Sequence, residues 1–255
     1  MKKYYRVTTI DEIERGSFPR RAVALTFDDG YRSVYDHAFP ILRRYDIPAT
    51  VYIIGGTLEP GRTCWVNRLN RWVHVDPAAA REAVARRWSD LSTREVSTLV
   101  WESVLRCGPS DIDGLLGDAP PEGVSDDRIH MTVDEVSALA EAGWSIGNHT
   151  FSHFNLECLD PVQAEEELML GFRAIEGLPG TSRSVAYPFG LHTQTVREIA
   201  VRASASSIME VGGWNFLVDL TRIARIPVLG TTELELFAEI EVIGFFKGVL
   251  KRVLG

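Results

Sequence analysis

Three cysteines in 255 residues, Cys64, Cys107 and Cys158, are too few and too widely spaced for a zinc ribbon or a redox pair. They are expected to be buried thiols in a reducing compartment. No stretch of about 20 apolar residues occurs, which excludes a conventional membrane-spanning helix. Positive charge is scarce, with 27 Lys and Arg against 35 Asp and Glu and a net charge of −8. That balance argues against nucleic acid or another polyanion as ligand, for which a basic patch is needed, and leaves neutral or amine-bearing molecules. A leader-like start is missing too: Met1-Lys2-Lys3-Tyr4-Tyr5-Arg6 runs into polar Thr8, Asp11 and Glu12 rather than into an apolar core. Cytoplasmic residence is therefore expected.

What is present is an alternation of short apolar runs with helical patterns, the signature of parallel β/α units. Expected strands are Ala22–Phe27, Thr50–Ile54, Ser145–Gly147, Ser184–Tyr187, Ser206–Met209 and Ile223–Val228. Ser33–Tyr45 reads as a helix kinked or restarted by Pro40. Thr132 with Glu135 makes a capping box ahead of Val136, Leu139 and Ala140, with a stop at Gly143. Asp160-Pro161 opens another helix that Gly177 ends. The length suits a single domain over 1–255, large enough to bury roughly three quarters of its unfolded surface.

Between about 62 and 130 three further helical patterns intervene: Cys64–Val73, with Trp65, Leu69 and Trp72 on one side; Pro77–Trp88; and Ser92 to about Arg106, opened by Ser92 and Glu95. Gly108–Arg128, rich in Gly, Pro and Asp, reads as a loop. The insertion is either a lid over a pocket or a decoration on the side of the fold, and its aromatic spacing fits core more than sugar platform. Glu233–Leu254 reads as an amphipathic helix carrying Lys247, Lys251 and Arg252. It closes the fold or, as the second reading, touches a membrane surface.

Two short motifs carry chemistry. Thr26-Phe27-Asp28-Asp29-Gly30 ends the first apolar run, and His149-Thr150-Phe151-Ser152-His153 follows Ser145–Gly147. A catalytic zinc takes three His or carboxylate ligands and keeps one position open; Asp29, His149 and His153 make such a set. Histidines four apart converge on one ion in the zinc-protease motif, which carries a Glu between them as base. Here Thr, Phe and Ser fill that gap, so the base has to come from elsewhere, and Asp28 is the candidate. Taken singly, an Asp-Asp-Gly after a strand is usually a turn and two histidines can be a surface pair. His37, His74 and His130 have nothing near them in sequence to complete a site.

Both motifs resemble those of the polysaccharide deacetylase family, the NodB-homology domain of carbohydrate esterase family 4. The resemblance implies an α/β fold, a distorted (β/α)7-type barrel with a helical insertion after the second strand, and sites built from the loops after strand ends. It implies Asp28 as base and Asp29, His149 and His153 as ligands of one divalent ion, zinc before cobalt, nickel or iron. The family's third motif, Arg-x-Pro-Tyr/Phe-Gly, corresponds to Ala186-Tyr187-Pro188-Phe189-Gly190, and this turn is the expected substrate and oxyanion element, through the Phe189 N–H. Ala186 replaces the family arginine that orients the base, and the family's final Leu-x-His is absent. Arg225, then Arg183, is the expected replacement for the arginine, since a half-buried carboxylate needs a cation to stay ionised. His192, two residues past Gly190, is the first candidate proton donor, with Asp28 returning its proton as the competing route. The implied reaction is metal-dependent removal of an N-acetyl group from an N-acetylhexosamine glycan or its precursor, lipid-linked substrate included. The alternatives are hydrolysis of a small formamide, imide or O-acetyl ester, and a carbohydrate-binding relative without turnover.

Overall fold

The computed structural model describes residues 4–16, 21–91, 95–106, 108–119, 128–203, 205–212, 215 and 219–228; the expected helix Glu233–Leu254 lies outside them, as does Cys107. The fold is α/β. Strands β1 (Arg6–Thr8) and β2 (Ala22–Ala24) form a small parallel pair. The main sheet is wholly parallel and runs in chain order through β3 (Thr26–Phe27), β4 (Thr50–Ile53), β5 (Ser145–Asn148), β6 (Thr181–Ala186), β7 (Ser207–Val211) and β8 (Ile223–Arg225). The run Ala22–Phe27, expected as one strand, is broken at Leu25 because its halves serve different sheets: β2 pairs with β1 and β3 with β4.

The six-stranded sheet curls into a half-barrel, and side chains explain how. On the concave face, Tyr52, Ala186, Met209 and Ile223 pack together with Ile10. Ile10 belongs to the short helix α1 (Ile10–Glu14), which caps the end where the strands start: Thr50 Oγ1 accepts from the Ile10 N–H, and Glu14 accepts from Ser206 and Ser207. Gly147 leaves room for the Tyr52 ring, since a Cβ there would stand 2.4 Å from it. Burying that one ring contributes about 2–3 kcal/mol. The first and last strands of the sheet, β3 and β8, are joined by Arg225 of β8, which reaches Thr26 Oγ1 and the Asp28 carboxylate just past β3.

The convex face is covered by helices, as period-two alternation requires of a sheet buried on both sides. Val51, Ile53 and Ile146 pack with Phe39, Val136, Leu139 and Trp144, bringing in α2 (Phe39–Arg44) and α7 (Val133–Glu141). Val185, Tyr187 and Ile208 pack with α8 (Pro161–Ile175) and α9 (Gln194–Arg202). The caps are those expected: Thr132 with Glu135, Asp160 before Pro161, and positive φ at Gly143 and Gly177. Before α2 the chain winds as a π-helix over Val34–Ala38. Pro40 lacks the N–H that an α-helix would direct at the Asp36 carbonyl, so the turn widens ahead of it.

Among the described residues, four further helices come between β4 and α7: α3 (Trp65–Val75), α4 (Pro77–Arg87), α5 (Val96–Val104) and α6 (Pro109–Gly117). They bury their own core around Leu69, Trp72, Val84, Leu99, Ile112 and Leu115. Helix α6 corrects the reading of Gly108–Arg128 as loop. Pro109 stands at the first helical position, Asp111 accepts from the Gly108 N–H, and Ile112, Leu115 and Leu116 form a buried stripe, so local capping and burial outweigh two interior glycines. Cys64 is buried, which raises its thiol to about 12; Cys158 is only half-buried. No described helix is long and apolar enough to cross a membrane.

Candidate metal centre and catalytic site

Two loops, after β3 and after β5 with β4 between them in the sheet, build the centre. After β3 the alternation that turns Phe27 outward onto Trp144, with rings 5.5 Å apart, turns Asp28 inward. The next residue, Asp29, takes φ +68°, which swings its carboxylate toward the loop after β5. There His149 Nε2 lies 3.2 Å and His153 Nε2 3.1 Å from Asp29 Oδ1.

Backbone strain concentrates at this spot. Of six non-glycine residues with positive φ among the described residues, Asp29, Thr150, His153 and Phe189 all belong to it. Such conformations cost of order 1–3 kcal/mol each and persist only where surroundings over-determine them, and for β-branched Thr150 this is an outlier. The surroundings are specific. Asn148 accepts from the Thr150 N–H and donates to Leu168 O of α8. Glu167 of α8 accepts from both Phe151 N–H and Ser152 N–H, at 3.1 and 2.7 Å. Thr150 Oγ1 accepts from His153 N–H, and Gly55 and Gly56 donate to the carbonyls of Thr150 and Phe151. Trp65 of α3 donates to His153 O. The Asp29 turn is held likewise by His130, whose Nδ1 lies 3.0 Å from Asp29 O, and by Met131 N–H donating to Gly30 O.

The donor set suits a divalent cation. Asp29, His149 and His153 each aim one ligand atom at a common point, all within 4.8 Å of one another. Asp29 Oδ1 is buried with no hydrogen-bond partner, so lone pairs face one another across a gap that a cation satisfies. His149 Nδ1 donates to Ala186 O at 2.7 Å, which fixes the tautomer and leaves Nε2 free to ligate. Burial would push His149 down, yet Asp29 and Asp28 outweigh it and raise it, while burial dominates at His153 and lowers it. Burial also works against ionised Asp29, but the two imidazoles hold it well below the usual carboxylate range. A metal ion bound by this buried donor set would displace a proton from it.

Asp28 stands beside it as a second carboxylate. Arg225 grips it with two bonds, 2.6 and 2.8 Å, and lies over the Tyr52 ring at 5.5 Å. Burial raises Asp28, and His149 and Arg225 together bring it below its ordinary value. Arg183 bonds instead to Ala203 O.

The turn after β6 divides its residues between two faces. The Ala186 carbonyl serves His149, the Phe189 ring lies edge-on to His153 at 4.6 Å, and Phe189 holds φ +59°. Pro188 is buried, and Gly190 is confined by Val211, whose side chain would stand 2.5 Å from a Cβ there. Tyr187 points the other way, into the helix layer, and carries His192 with it: the rings stack at 4.6 Å. His192 Nε2 sits 3.2 Å from Glu210 Oε1 and 3.1 Å from Arg197 Nη2. The structure thus places His192, the expected proton donor, with Tyr187 against Glu210 and Arg197 and does not bring it to the ligand set. His130, which has no partner near it in sequence, instead packs against the Asp29 turn and stacks on Tyr31 at 5.3 Å. Only its pairing across 101 residues with Asp29 gives it a role, and no local spacing signals that. Asn148 and Glu167 are hidden from sequence reasoning for the same reason.

A sequence profile described as "Polysaccharide deacetylase" matches residues 15–90 and 123–207. A Staphylococcus epidermidis poly-beta-1,6-N-acetyl-D-glucosamine N-deacetylase is 51% identical over 41 residues, 16% of this chain, and the matched stretch spans only 14% of that protein. Among solved structures, the Streptococcus pyogenes deacetylase PplD in complex with acetate superposes with a TM-score of 0.62 at 19% identity, over 94% of this chain and 81% of that one. IcaB from Ammonifex degensii gives 0.57 at 20% identity, over 92% and 82%. At such identities these two structures show a common fold.

Proposed function

The chain belongs to the polysaccharide deacetylase family, and from that premise we propose that it is a metal-dependent hydrolase that removes the N-acetyl group from an N-acetylhexosamine unit of a glycan. The observation that carries this reading is the pairing of Asp28, ionised in the grip of Arg225, with the three converging ligand atoms of Asp29, His149 and His153. One carboxylate is free to move a proton while its neighbour is committed to the ion. The short match to a poly-beta-1,6-N-acetyl-D-glucosamine N-deacetylase makes N-acetylglucosamine polymers the first substrates to try.

A divalent ion held by these residues, with zinc the first choice for two imidazoles and a carboxylate, would polarise the amide carbonyl and acidify water. Asp28 takes the proton of the attacking water. Arg225 keeps that carboxylate ionised and oriented, and the two bonds leave it little rotational freedom. The Phe189 N–H, set by the strained turn, is the proposed donor to the developing oxyanion. With His192 on the convex face, the Asp28 carboxyl, now protonated, returns its proton to the departing amine. Tyr187 and Pro188 shape the turn from beneath.

The test is metal content and amine release measured together. Wild type should hold about one divalent ion per chain and release amine from acetylated glucosamine oligomers. Asp28→Asn should keep the ion and lose turnover, whereas Asp29→Ala should lose both. Turnover retained in Asp28→Asn removes the base assignment, and a metal-free, inactive wild type after replenishment removes the hydrolytic reading.

A further inference from the structure

Helices α5 and α6 fall in a stretch, residues 91–122, that the family profile leaves unmatched, so what α5 brings to the site lies outside the matched family pattern. It brings Trp101. Two other tryptophans of the inserted helices are spent on core: Trp65 is 6% and Trp72 4% exposed, whereas Trp101 is 49% exposed. A single exposed apolar side chain needs no explanation in itself. The position of this one does, because its indole lies edge-on to Phe189, at 6.2 Å and 73°. Phe189 in turn lies edge-on to the ligand His153 at 4.6 Å and to Trp65 at 6.4 Å. A continuous aromatic wall therefore runs from the metal centre outward along the inserted helices and ends in a ring open to solvent. The backbone of Phe189 is held at positive φ in that arrangement, a conformation that costs energy and that the site sustains.

We propose that Trp101 is a stacking platform for the pyranose ring adjoining the one deacetylated, so that the inserted helices select a polymer over a free sugar. The claim rests on the hydrolytic reading above. The apolar C–H face of a pyranose matches an indole, which offers a large rigid apolar surface at little conformational cost. The occupant is a neutral sugar rather than an anion, in keeping with the acidic balance of the chain. It is a neighbouring sugar rather than the reacting one because Phe189 stands between the indole and His153.

The experiment compares a β-1,6-linked N-acetylglucosamine pentamer with N-acetylglucosamine itself on wild type, Trp101→Ala and Trp101→Phe, by calorimetric binding and by amine release. Loss of one well-formed aromatic contact is worth about tenfold in affinity. Trp101→Ala should therefore lower the pentamer-over-monomer preference about tenfold, through KM more than kcat, and Trp101→Phe should restore most of it. An unchanged preference in Trp101→Ala overturns the platform, as does equal weakening of pentamer and monomer. Pentamer binding that depends on Trp101 in a protein that releases no amine would uphold the platform and overturn the hydrolytic reading. A wild type that neither binds the pentamer nor releases amine overturns both.

Discussion

Replacing Arg225 by Gln removes a charge and the two-bond grip on Asp28 and leaves a shorter, neutral polar side chain. Cutting one partner from a fully buried ion pair costs about 3–5 kcal/mol, but here the side chains of Asp28 and Arg225 are 35% and 18% exposed, and water screens the pair. About half of that, near 2 kcal/mol, is a fair expectation, and its loss moves the Asp28 carboxyl up. The sign follows from the opposing influences: burial raises Asp28, with His149 and Arg225 holding it down, so without Arg225 the proton is held more tightly. Amine release followed across about pH 4 to 8 should show the acid limb of kcat/KM displaced to higher pH. Above that limb kcat should fall by about tenfold or more, because the base is no longer aimed. Arg225→Lys keeps the charge and loses the fork, so it should restore the limb but not the rate. An acid limb and a rate that both match wild type in Arg225→Gln would refute the assignment of Arg225 to the base.

Gly171→Ala should strike the centre without touching a ligand. A Cβ there stands 2.2 Å from Asn148 Oδ1 and 2.8 Å from the Thr150 carbonyl carbon, so the gain of about 1 kcal/mol in helix propensity is outweighed by about 1–3 kcal/mol of overpacking and two strained Asn148 bonds. Thermal melts should drop by about 5 °C, and metal titration should show about tenfold weaker binding. Glu135 is held below its ordinary value by Arg128, at 2.5 and 2.7 Å, and by the Thr132 N–H, against some burial. Its contribution to stability is therefore present above the unfolded value of about 4.3 and lost as pH falls through the folded one. Glu135→Gln should cost under about 1 kcal/mol at neutral pH, and its denaturation midpoint should converge on wild type in acid. Stripping the metal with a chelator should lower the melting temperature, by about 2.7 kcal/mol of stability for an ion previously present at 100 times its Kd, and zinc should restore it.

The parts of the site that can be read from the chain are those whose logic is local. Asp28 and Asp29 follow an apolar run, and His149 and His153 share a five-residue loop, so spacing alone places them. Arg225 is reachable by a different argument, since a half-buried carboxylate needs a cation to stay ionised, although it lies 197 positions from Asp28. The place of His192 is not legible in the sequence, because strand alternation sends Tyr187, and the imidazole stacked on it, to the far face. The supports of the histidine loop, Asn148 and Glu167, look like any strand-end amide and helix carboxylate until α8 is docked. Helix α6 is obscured by Gly114 and Gly117, whose weight as breakers hides the stripe of Ile112, Leu115 and Leu116. Trp101 carries no mark that separates it from Trp72, because exposure is decided by tertiary packing alone.

The half-barrel is joined at its two margins by the same ion pair that orients the proposed base. Spreading of the first and last strands, whether by heat, denaturant or a mutation remote from the centre, must withdraw Arg225 from Asp28 before the hydrophobic layers part. On the proposed function, turnover is a gauge of that seam: activity should fade at lower denaturant than the far-ultraviolet signal does, while the proposed ligand triad, which spans only β3 and β5, should still bind added zinc. Local opening and global unfolding would thus be told apart by a single assay on one sample.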